Sequence, residues 1–80
     1  MEYDRDRVDD AVLALLWLTT FQMHGIARAW KSHDWDALDR LYSKGMIGDP
    51  KSKARSVVLT DEGKDRARRL FEELFGPVSQ

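Results

Sequence analysis

A small α+β domain is the fold class this sequence predicts, on three observations. An amphipathic helical stretch runs from Asp34 to Lys44 and stops at Gly45. An apolar step, Met46-Ile47, a basic loop and a β-prone run, Val57-Val58-Leu59, follow in that order. A further helical stretch then opens at Thr60 and repeats Ala67, Leu70, Phe71, Leu74 and Phe75 at i, i+3, i+4, i+7 and i+8. Helix, strand, wing, strand, helix is a winged-helix-like order, with helices around a two- or three-stranded antiparallel wing.

The chain has 80 residues, enough for one domain spanning 1–80. Such a domain buries only about 60–65% of its unfolded surface. There is no cysteine to staple it, so tight packing or oligomerisation must supply the rest. Net charge is −1, lower than an autonomous DNA-binding domain usually carries. Its distribution is uneven. Residues 1–24 hold five acids and two bases, and residues 45–60 hold three bases and one acid. The longest apolar run, Ala11 to Leu18, has eight residues, against about 20 for a membrane span. A soluble, cytoplasmic protein with no membrane partner is expected.

The first helix is expected from Asp4 or Arg5 to Thr19. Asp4 suits the N-cap, and Asp6, Asp9 and Asp10 suit the positive end of the helix dipole. Val8, Val12, Leu15 and Thr19 form one stripe, which Leu13, Leu16 and Trp17 widen beyond the usual apolar arc. A helix apolar on so many sides must be covered on most of them. Either it is a central core helix or it is the seam of a homodimer. The dimer is the reading carried forward, through Leu13, Leu16 and Trp17 with Leu70, Leu74 and Phe75, because the last helix is also rich in large apolar groups.

Residues 20–33 are mixed. Thr19-Thr20-Phe21 is β-prone, Ala27-Arg28-Ala29-Trp30 is helix-permissive, and Gly25 marks a break. A winged helix places a short strand and a second helix here. The segment has room for one of them, which makes the helix-turn-helix degenerate. Trp30 and Trp35 flank a short polar connector and read as core aromatics or as an aromatic patch for a partner.

Asp34 N-caps the next helix. Trp35, Leu38, Leu41 and Tyr42 share a face, and Asp36, Asp39, Arg40, Ser43 and Lys44 take the polar side. Asp36 and Arg40 stand at i and i+4 and can pair. Gly45 is the expected residue after the C-cap. Asp49-Pro50 then turns the chain, and Lys51, Ser52, Lys53 and Arg55 make a cationic loop. These bases either meet phosphates or guard an exposed hairpin tip. Thr60 N-caps the last helix, Gly63 permits close approach to the strand, and Gly76-Pro77 ends it.

Residues 38–47, Leu-Asp-Arg-Leu-Tyr-Ser-Lys-Gly-Met-Ile, and 58–63, Val-Leu-Thr-Asp-Glu-Gly, resemble the winged-helix half of MarR-type and PadR-type bacterial regulators. That resemblance implies dimerisation through the terminal helices. It also implies double-stranded DNA contacts by Arg40, Ser43 and Lys44 on the helix and by Lys51, Ser52, Lys53 and Arg55 on the wing. The whole chain resembles a family of short bacterial domains of unknown function. The shared stretches are residues 8–16, 28–31, 34–41 and 49–54.

No catalytic constellation is found, so no enzyme, cofactor or metal is expected. His24 and His33 are the only histidines, and a metal site needs three or four converging ligands. Ser32, Ser43, Ser52 and Ser56 have no base partner in any expected geometry, and there is no glycine-rich phosphate loop. Two functions remain: a small DNA-binding, regulator-like protein, or a protein-interaction module on the same scaffold.

Overall fold

The computed structural model describes residues 2–76. Its elements are α1 (Arg5–Leu18), β1 (Phe21–Met23), β2 (Ile26–Trp30), α2 (Trp35–Ser43), β3 (Ser56–Val58) and α3 (Asp61–Phe75). The architecture is α+β and consistent with a winged-helix-like layout. The strands form one antiparallel sheet in the order β1-β2-β3.

Local chemistry sets the helix ends. Asp4 accepts from the Arg7 amide at 3.1 Å, and Asp34 from the Ala37 amide at 3.1 Å, each satisfying an orphan donor. After α2, Gly45 takes φ 77°. Its amide donates to the Tyr42 carbonyl and the Met46 amide to that of Leu41, both at 3.0 Å. This is the Schellman pairing, and it requires a residue that tolerates a left-handed conformation. Thr60 serves two elements. Its hydroxyl accepts from the Gly63 amide at 2.9 Å and donates to the Gly45 carbonyl at 2.6 Å, joining the start of α3 to the end of α2. Gly63 packs so closely on the Met46 backbone that a Cβ would overlap its carbonyl. Pro77, the expected stop, lies outside the described residues.

Residues 20–33 differ from expectation. The segment of Ala27 to Trp30 is strand, not helix, and no second helix precedes α2. His24 (φ 53°) and Gly25 (φ 78°) make a two-residue turn between β1 and β2. Positive φ at both central residues is what a type I′ hairpin needs. Ala27 and Ala29 point inward and are buried, while Ile26 and Trp30 point out. The small inward pair lets the sheet lie close on α1. Tertiary pairing with β3 overrides the weak helical preference.

The core centres on Leu13, Leu16, Leu38, Leu41, Ile47 and Val57, with Val12, Met46, Leu59, Leu70 and several alanines packed around them. α1 packs mainly along α3, and also against α2 and β2. It is therefore wrapped by its own chain. Leu13 and Leu16, expected at a dimer seam, have no exposed surface, whereas Leu74 and Phe75 are half-exposed. Trp17 is partly buried against the core. Trp30 and Trp35 are not enclosed, at 49% and 56% exposure. No helix among the described residues is long and apolar enough to cross a membrane.

Candidate nucleic-acid interface

Two groups of bases have different surroundings. The first belongs to α2. Arg40 Nε donates to both Asp9 carboxylate oxygens, at 2.8 and 2.9 Å. Lys44 Nζ donates to Asp9 at 2.8 Å and to Asp6 at 3.0 Å. Asp9 is fully buried. Burial alone would push its carboxyl up, but the hydrogen bonds and charges of Arg40 and Lys44 outweigh that and hold it below its ordinary value. The hydrogen bond to Asp9 in turn raises both bases. Arg40 thus reaches across to α1 and not to Asp36, because a desolvated carboxylate gains more from a cation than an exposed one does. Arg40 of α2 and Lys44 at its C-cap are both committed to α1. Ser43 is exposed at the end of the helix.

The second group belongs to the sheet and its loop. Lys51, Ser52, Lys53 and Arg55 are all exposed. The Asp49 carboxylate accepts from the Lys51 amide at 2.9 Å, which shapes the turn. Lys31 ties this loop to the hairpin: its Nζ donates to the Ser52 carbonyl at 2.8 Å, and its amide to the Arg55 carbonyl at 3.0 Å. Arg28 lies across the sheet, with Nε donating to Ser56 Oγ at 2.8 Å and Nη2 to the Ser56 carbonyl at 3.0 Å. The pairing registers put Phe21, Met23, Ile26, Arg28, Trp30 and Val58 on one face, and that face is uncovered. Phe21 and Trp30 rest against each other with ring centroids 5.0 Å apart. A groove lined by Arg28, Asp49, Ser52 and Ser56 runs from this face to the loop.

The charges divide by layer. Residues 20–33 and 45–60 hold five bases, Arg28, Lys31, Lys51, Lys53 and Arg55, and one acid, Asp49. The helical segments hold the other eight bases and thirteen acids. The ion pairs among the described residues join groups of the helices and their caps: Arg7–Asp4, Arg40–Asp9, Lys44–Asp6, Lys44–Asp9, Arg66–Asp10 and Arg68–Asp65. Among the described residues, none of the five sheet-side bases has such a partner. The candidate residues of the sequence thus separate into α2 bases locked on Asp9 and wing bases open to solvent. Arg28, Lys31, Phe21 and Trp30 join the wing surface, although the sequence pattern did not mark the first three as site residues. Alternation of Ile26, Arg28 and Trp30 with two alanines was the available signal. Among the described residues, no three His, Asp or Glu side chains converge as metal ligands would.

The class defined by this fold is a small α+β domain with an ion-paired helical layer and a basic, partly aromatic sheet layer. The chain belongs to the family described as a domain of unknown function, DUF6429, whose pattern matches residues 4–77. It is 55% identical over 75 residues to the uncharacterized protein y4hR of Sinorhizobium fredii (strain NBRC 101917 / NGR234), covering 94% of this chain and 97% of that relative. No solved structure matches it.

Proposed function

We propose that this protein is a small, non-enzymatic, cytoplasmic nucleic-acid-binding domain that meets the phosphate backbone with its wing and not with α2. The charge division between layers carries this reading. Five bases without carboxylate partners belong to the sheet and its loop, with Asp49 the single acid of those segments, and unpaired surface bases gain from counterion release on a polyanion. The likeness of residues 38–47 and 58–63 to MarR- and PadR-type regulators agrees with a wing placed for DNA. Two features depart from those regulators: a hairpin stands where their second helix would be, and Asp9 holds Arg40 and Lys44. The proposed contact is therefore to backbone, without base readout by α2.

A protein-interaction module, its own second copy included, is the second reading. The half-exposed Leu18, Leu74 and Phe75 on the terminal helices favour it.

Anisotropy of labelled random duplex DNA, titrated at several salt concentrations, tests the first reading. Binding in roughly the 1–100 µM range that falls steeply with salt is expected. Lys51→Ala with Lys53→Ala should weaken it on every sequence alike. No binding by folded protein to duplex or to single-stranded DNA at low salt would contradict the proposal.

A further inference from the structure

We infer that the outer face of the sheet is a stacking platform for unpaired bases, so that the nucleic acid bound is single-stranded. This deepens the nucleic-acid reading above and rests on it. Trp30 is 49% exposed on a strand whose other side is packed into the core. Phe21 supports it from the neighbouring strand, with ring planes inclined at 35°. A large, half-exposed indole held on a sheet and braced by a neighbouring ring offers a surface on which any base can stack. Arg28, two residues away on the same face, is held by Ser56, and its guanidinium has N–H groups left for phosphate or base oxygens. The backbone of a stacked strand would then meet the loop of residues 50–55, which Lys31 fastens to the end of β2. Aromatic surface and unpaired bases lie side by side, the combination that single-strand binders use.

The charges select among occupants. A second copy stacked face to face would bring two cationic surfaces together, each with five bases and the single acid Asp49. A polyanion neutralises them. A duplex can take the phosphate contacts, but its bases are already stacked on one another and cannot lie on Trp30.

The test uses the full chain and three labelled probes of about 12 nucleotides, a length within known single-strand site sizes. These are oligothymidylate, a duplex of the same length, and an abasic single strand of the same length. Oligothymidylate is expected to bind roughly tenfold or more tightly than the abasic strand, and more tightly than the duplex. Trp30→Ala should remove that advantage while duplex binding stays as it was. Trp30→Phe should restore most of it, which a merely structural role for the indole would not predict. Circular dichroism of each variant checks that the fold is kept. If Trp30→Ala does not fold, Phe21→Leu and Trp30→Phe are compared on the same probes.

Duplex binding equal to or tighter than single-strand binding, unaffected at Trp30, would overturn the stacking platform and leave the proposed function standing. Equal binding of the abasic strand and oligothymidylate would overturn it too, reducing the contact to phosphates. Failure of every probe at low salt would overturn both readings. A dimer that Trp30→Ala converts to a monomer would assign the face to a second copy and overturn the inference.

Discussion

The helical layer and the sheet layer use the same cationic side chains for different purposes. In the helices, Arg40 and Lys44 converge on the buried carboxylate of Asp9, and Arg66 meets Asp10 at 3.1 Å. Those bases bind α1 to α2 and α3. On the sheet, the side chains of Arg28 and Lys31 hydrogen-bond to serine oxygens, and the loop bases are exposed. A base opposite a carboxylate is already neutralised, so its removal costs fold stability. A base without one keeps its field, so its removal costs affinity for an anion and little stability. Position, and not residue type, separates the two roles.

The largest effect is expected where the helical layer closes on the wing. Gly63→Ala forces a Cβ into the Met46 carbonyl, which backbone cannot yield to cheaply. Destabilisation of at least about 3 kcal/mol, or failure to fold, is expected in urea unfolding. A folded Gly63→Ala protein of normal stability would show that α3 can lie further from the Met46 backbone.

Asp9→Asn comes next. It removes the charge that Arg40 and Lys44 share while nearly keeping the shape. Loss of about 2 kcal/mol is expected, below the usual value for a buried pair because both bases keep contact with water. The same carboxylate sets a pH dependence. Its folded value lies below the unfolded one of about 3.9. Its contribution is therefore complete above about pH 4 and is lost as pH falls through the lowered folded value. Acid titration of stability should flatten on that limb in Asp9→Asn. A parallel acid limb in both proteins would remove Asp9 as the source.

The smallest stability effect belongs to the sheet layer. Lys51→Ala with Lys53→Ala should stay within about 0.5 kcal/mol of the parent in thermal or urea unfolding. A larger loss would mean that the loop bases hold the hairpin, and the contrast between layers would dissolve.

What was legible in the sequence follows the range of the interactions. The caps at Asp4, Asp34 and Thr60 and the left-handed Gly45 are local, and each could be read from a few neighbouring residues. Residues 20–33 could not. Ala-Arg-Ala-Trp suits a helix as well as a strand, and its turn uses His24 where Asn or Asp would have signalled a hairpin. Only pairing with β3, some thirty residues on, decides the matter. Asp9 was hidden for the same reason. Beside Asp6 and Asp10 it reads as one more acid in the opening turns of a helix, yet its partners lie 31 and 35 residues away. The breadth of the apolar surface on α1 was readable, but not what covers it. Leu13 and Leu16 are enclosed by their own chain, chiefly by α3 and α2 with β2 adding to the cover, a long-range arrangement that the local pattern does not disclose.

The division of roles is tested most directly by the slope of log affinity against log salt for nucleic acid binding to three proteins. These are the parent, Lys51→Ala with Lys53→Ala, and Arg66→Ala with Arg68→Ala. Each phosphate contact removed should lower the slope by about 0.7–0.9. The slope should therefore fall by about 1.5 for the loop pair and stay unchanged for the helical pair. Equal slopes in the parent and the loop variant, with a fall in the helical one, would contradict the assignment of the sheet layer as the nucleic-acid surface.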